Sequence, residues 1–317
     1  MSDSKPVSDD IHPDIDPNRF ATQRANLSTG ATLAFVREGI GGTPLLLVHG
    51  WPETKRIWWR NIAPLVAAGF EVIAPDLRGF GDSDLAPDDF YDVAAFSRDC
   101  HALVHDELGH DRCFAAGGDA GGPIVYDLSL RYPGFVPKLC FFNTLTPVLR
   151  GGEYEAAGIP PESRRELRAT ADYFVRQATD ADGLAAELGT PARRRAYVAG
   201  MYGHRLWASP TAFTADEVDF MTEPFGDADS LRASFAIYEG STGNRPMSEL
   251  PHFLETNPVP TLVLYGPEDH VVPQGFPDRC AVAFEECVGP FVVPDAGHFL
   301  QWETADVFNR ALTHFFL

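Results

Sequence analysis

Cys113-Phe114-Ala115-Ala116-Gly117-Gly118-Asp119-Ala120-Gly121-Gly122-Pro123 is the stretch whose reading decides the fold. An apolar run fit for a buried strand stops at a glycine pair, presents one aspartate, and resumes with two more glycines. Ile124 to Tyr132 then reads as a helix. Small residues stand where a tight strand-to-helix turn leaves no room for a Cβ. The pattern is G-x-nucleophile-x-G, and an aspartate occupies the nucleophile position.

The segments on either side repeat the alternation of strand and helix. Ala31-Thr32-Leu33-Ala34-Phe35-Val36 alternates like a half-exposed strand after the turn signal Ser28-Thr29-Gly30. Pro44 to Val48 is a continuous apolar run, as expected of a parallel strand covered on both faces, and it ends at His49-Gly50-Trp51-Pro52. A helix is expected near Trp59–Ala68, a strand at Glu71–Ala74, a glycine-rich loop at Asp76–Ser83, and a helix over Phe96–Leu108. Buried strands are expected at Leu139–Phe142, within Pro258–Gly266, and at Phe291–Val293, with a closing helix over Thr304–Phe316. Alternation of this kind implies an α/β fold, with a mostly parallel sheet and right-handed crossovers. From about Pro147 to Pro251 strand signals fade and helical stretches rich in Ala, Arg and Glu take over. The expected organisation is a tail over 1–17, a core over 18–146 and 252–317, and a helical cap over 147–251.

Composition narrows the function classes. A net charge of −20 argues against a polyanionic partner, which needs a basic face, so neither nucleic acid nor an anionic membrane surface is expected. The five cysteines are odd in number and lack C-x-x-C spacing, which speaks against a disulfide framework or a zinc site and suits a reduced, cytoplasmic setting. Residues 1–17 are polar and carry no apolar stretch of the kind a secretory signal needs. His101, His105 and His110 show no metal-like partner pattern, and His49 reads as a loop-shaping residue.

Open α/β sheets place their sites in loops at the carboxyl ends of parallel strands. Three such loops carry candidates in chain order: Asp119, Asp269 in Gly266-Pro267-Glu268-Asp269-His270, and His298 in Asp295-Ala296-Gly297-His298-Phe299. Nucleophile, acid and histidine in that order form a triad pattern, with Glu268 as the rival to Asp269. A carboxylate nucleophile suits displacement at a saturated carbon and leaves an ester that water can cleave.

Together, His49-Gly50-Trp51-Pro52, Pro75-Asp76-Leu77-Arg78-Gly79-Phe80-Gly81-Asp82-Ser83, Gly118-Asp119 and Gly297-His298-Phe299 resemble the epoxide hydrolase branch of the α/β-hydrolase superfamily. That branch is related to the haloalkane and fluoroacetate dehalogenases. The resemblance implies that Asp119 attacks an oxirane carbon, that His298 activates water with Asp269 orienting it, and that the backbone N–H groups of Trp51 and Ala120 hold the oxyanion. It makes His49, Gly50 and Pro52 the residues that shape the loop. It also implies two cap tyrosines that protonate the opening oxygen. Tyr238 fills the second position, with Glu239 where the family carries Arg. Tyr173 is chosen for the first, with Tyr154, Tyr197 and Tyr202 as rivals. No metal or organic cofactor is implied, and the expected substrate is a small apolar epoxide. A homodimer is compatible with the resemblance. Dehalogenation and non-catalytic binding of a small ligand are the alternative readings. Ala120 and Asn143 stand where the two kinds of dehalogenase carry halide-binding, carboxylate-binding or acidic groups.

Overall fold

The computed structural model describes residues 13–161, 172–203, 207–209 and 211–317. Eight strands form one sheet: β1 (Thr22–Asn26), β2 (Thr32–Glu38), β3 (Thr43–Val48), β4 (Phe70–Pro75), β5 (Phe114–Gly118), β6 (Leu139–Phe142), β7 (Thr261–Tyr265) and β8 (Cys287–Val292). Their spatial order is β1-β2-β4-β3-β5-β6-β7-β8. The β1–β2 and β2–β4 pairs are antiparallel and every other pair is parallel, so the sheet is mostly parallel, as expected.

The central strands are apolar because both of their faces are covered. Leu45, Leu46, Leu47, Val48, Ala115, Ala116 and all of β6 are fully buried. Each buried Leu or Phe side chain contributes about 1.5–3 kcal/mol, which makes these strands the rigid base of the molecule. Helices Trp59–Ala67, Val93–His101, Gly121–Arg131, Phe276–Ala283 and Ala305–Phe316 are among those interspersed with the strands.

Three features differ from the sequence reading. β1 was not expected, because four of its five residues are exposed and no apolar alternation marks it. β8 begins at Cys287 rather than near Phe291, and it too is a largely exposed edge strand. The helix expected over Phe96–Leu108 starts earlier and changes character, with Val93–His101 passing into a π-helical turn at Ala102–Glu107. Of the tail, residues 1–12 lie outside the described residues. Pro13–Ile15 form a short 3-10 turn, and Trp59 Nε1 donates to the Asp16 carbonyl at 2.9 Å.

Between β6 and β7 the described elements are helical, including Asp172–Thr179, Ala181–Glu187, Pro191–Tyr202, Ala215–Thr222, Ala228–Ser234 and Ala236–Ser241. Among the described residues, no helix is long and apolar enough to cross a membrane.

Candidate active site

Asp119 sits one residue past the end of β5 with φ of 43°, in the left-handed region that a non-glycine residue rarely adopts. Such a conformation costs of order 1–3 kcal/mol and is held by its surroundings. The Asp119 N–H donates to the Asn143 carbonyl at 3.0 Å, and Thr144 Oγ1 donates to the Asp119 carbonyl. Glycine is required opposite, since a Cβ on Gly50 would lie 2.5 Å from the Asp119 Cβ and 2.9 Å from the Ala120 nitrogen. The loop after β3 therefore runs against the turn after β5. Trp51 N–H donates to Asp119 Oδ1 at 2.7 Å, and Ala120 follows as the first residue before the helix Gly121–Arg131.

The same loop is tied down from behind. His49 Nε2 accepts from Leu77 N–H at 3.0 Å, which leaves Nδ1 to donate to the Gly50 carbonyl at 2.8 Å. Burial pushes the His49 pKa down and keeps the ring neutral for that arrangement. Pro52, after a cis peptide bond, presents its carbonyl to the Tyr202 hydroxyl at 2.6 Å.

His298 bridges the other two candidates. Its Nε2 lies 3.1 Å from Asp119 Oδ2 and its Nδ1 lies 2.9 Å from Asp269 Oδ2. Asp269 is buried and its oxygens are fully used: Oδ1 accepts from Val271 and Val272 N–H, and Oδ2 also accepts from Asn143 Nδ2 at 2.8 Å. Glu268 is exposed, so Asp269 is the acid that meets the histidine. Burial opposes a charged imidazole, but Asp269 and Asp119 outweigh it and hold the His298 pKa well above its ordinary value.

On the other side of Asp119 lies an aromatic cluster from the helical segment. Tyr173 and Tyr238 approach hydroxyl to hydroxyl at 3.4 Å. Tyr173 stacks on Trp51 with ring centres 5.4 Å apart, and Tyr238 meets the same indole edge-on at 5.7 Å. Burial, with the charge of Asp119 as a further contribution to both, pushes both phenol pKa values well above 10 and keeps them protonated. Of the rival tyrosines, Tyr154 donates to the Pro147 carbonyl and Tyr202 to Pro52, while Tyr197 accepts from Gln177 Nε2 at 2.9 Å. Tyr173 is brought to the Tyr238 hydroxyl, and Tyr197 lies within electrostatic reach of both.

Several residues at the site were missed in the sequence. Trp207 packs edge-on against both Tyr173 (4.6 Å) and His298 (5.2 Å), and its carbonyl accepts the His298 N–H at 2.8 Å. Glu303 pins the same region, accepting N–H bonds from Ser209, Gly297 and Phe299. Glu53 is buried behind the loop, where it accepts from Gly50 N–H and Gln301 Nε2, each at 2.7 Å. Burial first, and then the charge of Asp119, push its carboxyl pKa up to about 7. Ser234 accepts the Trp51 indole N–H at 3.0 Å and so joins the helical segment to the loop after β3. Two of these lie close enough in sequence to a motif to have drawn notice: Glu53, next to Pro52, and Glu303, five residues beyond the histidine.

A family profile described as alpha/beta hydrolase fold matches residues 43–305. Epoxide hydrolase A of Mycobacterium tuberculosis is 28% identical over 93% of this chain and 97% of its own length. The soluble epoxide hydrolase of Corynebacterium sp. strain C12 is 34% identical over 42% of this chain, and that alignment spans 45% of the relative. Among solved structures, the epoxide hydrolase CorEH superposes with a TM-score of 0.79 at 22% identity, covering 94% of this chain and 98% of that one. The matched residues run from β3 through β8 and include the turn after β5 and the histidine loop, and they place the chain: it belongs to the alpha/beta hydrolase fold family.

Proposed function

We propose that this chain hydrolyses epoxides to vicinal diols through an alkyl ester on Asp119. One observation carries the reading: a single carboxylate, at the strained turn after β5, faces an imidazole on one side and lies within electrostatic reach of a pair of protonated phenols on the other. The relatives named epoxide hydrolase support the reaction class.

In the first step an Asp119 oxygen forms a bond to an oxirane carbon, the ring C–O bond breaks, and the departing oxygen takes a proton from Tyr173 or Tyr238. Two phenols 3.4 Å apart can share the resulting charge, since one donates to the other. Forming the ester also removes the Asp119 charge. That charge and Asp269 together keep His298 protonated, so esterification lowers the imidazole pKa at the stage when a base is needed. The imidazolium gives up its proton, which restores the phenol through solvent; neutral His298 then takes a proton from water, the hydroxide adds to the ester carbonyl, and the N–H groups of Trp51 and Ala120 hold the oxyanion. Collapse of that intermediate expels the alkoxide, which takes the remaining proton of the added hydroxyl, so the diol leaves and Asp119 returns as a carboxylate beside protonated His298. The helical elements within 147–251 serve as the cap that supplies both phenols and packs aromatic rings beside Trp51. The substrate is small and mainly apolar.

Dehalogenation on the same aspartate requires N–H donors for the departing halide. The Trp51 indole N–H is already given to Ser234 Oγ, which disfavours that reading.

His298→Gln tests the two-step route. Ring opening should persist while ester cleavage stalls, so mass spectrometry should find one substrate equivalent attached to the peptide holding Asp119. Absence of an adduct with every epoxide tested would remove the ester from the mechanism.

A further inference from the structure

Far from the turn after β5, the π-helical turn Ala102–Glu107 gathers three donor side chains that the sequence keeps apart. On a regular helix, residues one and five apart in the chain point in different directions, about 140° from each other for i and i+5. His101 and Asp106 would then occupy separate faces. Here Leu108 N–H donates to the Leu103 carbonyl at 3.0 Å, an i to i+5 bond, and the widened turn brings i+5 back over i. His105 and Asp106 therefore both lie beside His101, and the donor atoms of all three sit within 4.8 Å of one another. The sequence shows no metal-like partner pattern at His101 and His105, because the grouping depends on the π turn.

The three side chains are also held by neighbours. The His101 ring stacks on Tyr132 with centres 3.7 Å apart and packs against Phe135 at 4.7 Å. His105 stacks on His101 at 4.9 Å, and its Nδ1 lies 2.9 Å from Asp106 Oδ1. The second oxygen, Asp106 Oδ2, accepts from Ser28 Oγ at 2.7 Å, an outer bond of the kind that orients a metal-ligating carboxylate. His101 and His105 line an open groove of about 470 Å³, which leaves room for solvent or a further ligand.

We propose that His101, His105 and Asp106 form a binding site for a divalent transition-metal ion, separate from the catalytic turn. Two imidazoles and one carboxylate suit Zn²⁺, Cu²⁺ or Ni²⁺ over Mg²⁺ or Ca²⁺, which take oxygen ligands. A bound ion fastens the π turn to the Ser28 turn and to the helix Gly121–Arg131 through the ring stacked on Tyr132.

The test uses the full chain without an affinity tag, titrated with Zn²⁺ by calorimetry beside His105→Ala, Asp106→Asn and His101→Gln. One equivalent should bind the unaltered chain, and the His105 and His101 variants should each bind about tenfold or more weakly. His252→Ala, which alters another exposed His–carboxylate pair, should bind like the unaltered chain. His105 and Asp106 are exposed, so their variants should keep the native circular dichroism spectrum. With Cu²⁺, paramagnetic resonance should show two coordinated nitrogens in the unaltered chain and one in His105→Ala. No saturable binding up to millimolar metal, or equal binding by the unaltered chain and His105→Ala, would overturn the site.

Discussion

The two sides of Asp119 are built by different means. On the sheet side, Asp119, Asp269 and His298 project from loops that follow the parallel strands β5, β7 and β8. Asp269 there accepts four hydrogen bonds from fixed N–H donors or the histidine. On the helical side, Tyr173 and Tyr238 come from segments 65 residues apart and are placed mainly by ring packing on Trp51, Trp207 and Phe174. Directed hydrogen bonds fix an atom to within a few tenths of an ångström, whereas apolar ring contacts are less directional. The proposed base is therefore rigidly set, while the proposed acid depends on how the helical segment sits.

That contrast can be probed by graded changes. The largest effect is expected from the phenols: Tyr238→Phe and Tyr173→Phe should each slow ring opening about 10²–10³-fold while leaving the ester-cleavage rate nearly unchanged, as pre-steady-state kinetics would resolve. Equal slowing of both steps would mean that the tyrosines hold the cap rather than donate the proton.

A smaller effect should appear on the sheet side, through Glu53. Its carboxyl pKa is raised from 4.5 to about 7, so the folded chain holds this proton more tightly than the unfolded chain does. The sign follows by linkage: the stability linked to this proton is fully present below pH 4.5 and is lost as the pH rises through about 7. The loss amounts to roughly 3 kcal/mol. Glu53→Gln should remove that dependence, so urea unfolding at pH 5 and pH 8 should show the variant gaining about that amount relative to the unaltered chain. A parallel pH response in the two proteins would mean Glu53 is ionised throughout.

The smallest effect should come from the joint between the two sides. Ser234→Ala removes the acceptor of the buried Trp51 indole N–H and should cost about 1–3 kcal/mol of stability. The same change leaves that N–H without its protein acceptor. Halide release from an alkyl halide, absent before and present after, would show that this hydrogen bond separates the two chemistries.

These differences also explain what the sequence could reveal. Asp119, Asp269 and His298 were legible because each follows an apolar strand and sits among small turn residues, so local pattern and position coincide. The tyrosine pair was legible only through the family resemblance, since nothing local links residue 173 to residue 238. Glu53 lies in the polar string Glu53-Thr54-Lys55-Arg56, which reads as surface, yet it is buried by the fold. Trp207 reaches His298 through tertiary packing alone. β1 has no apolar alternation because it is an exposed edge, and the π turn was hidden because its apolar spacing resembles that of an ordinary helix.

The central claim is the ester on Asp119, and one measurement reaches it directly: a single turnover of styrene oxide in water enriched in heavy oxygen, followed by mass spectrometry of both the diol and the peptide holding Asp119. The ester route predicts heavy oxygen in that peptide and light oxygen, taken from the carboxylate, in the new hydroxyl of the diol. Heavy oxygen in the new hydroxyl with an unlabelled peptide would mean that water attacks the epoxide directly, and would contradict the role assigned to Asp119.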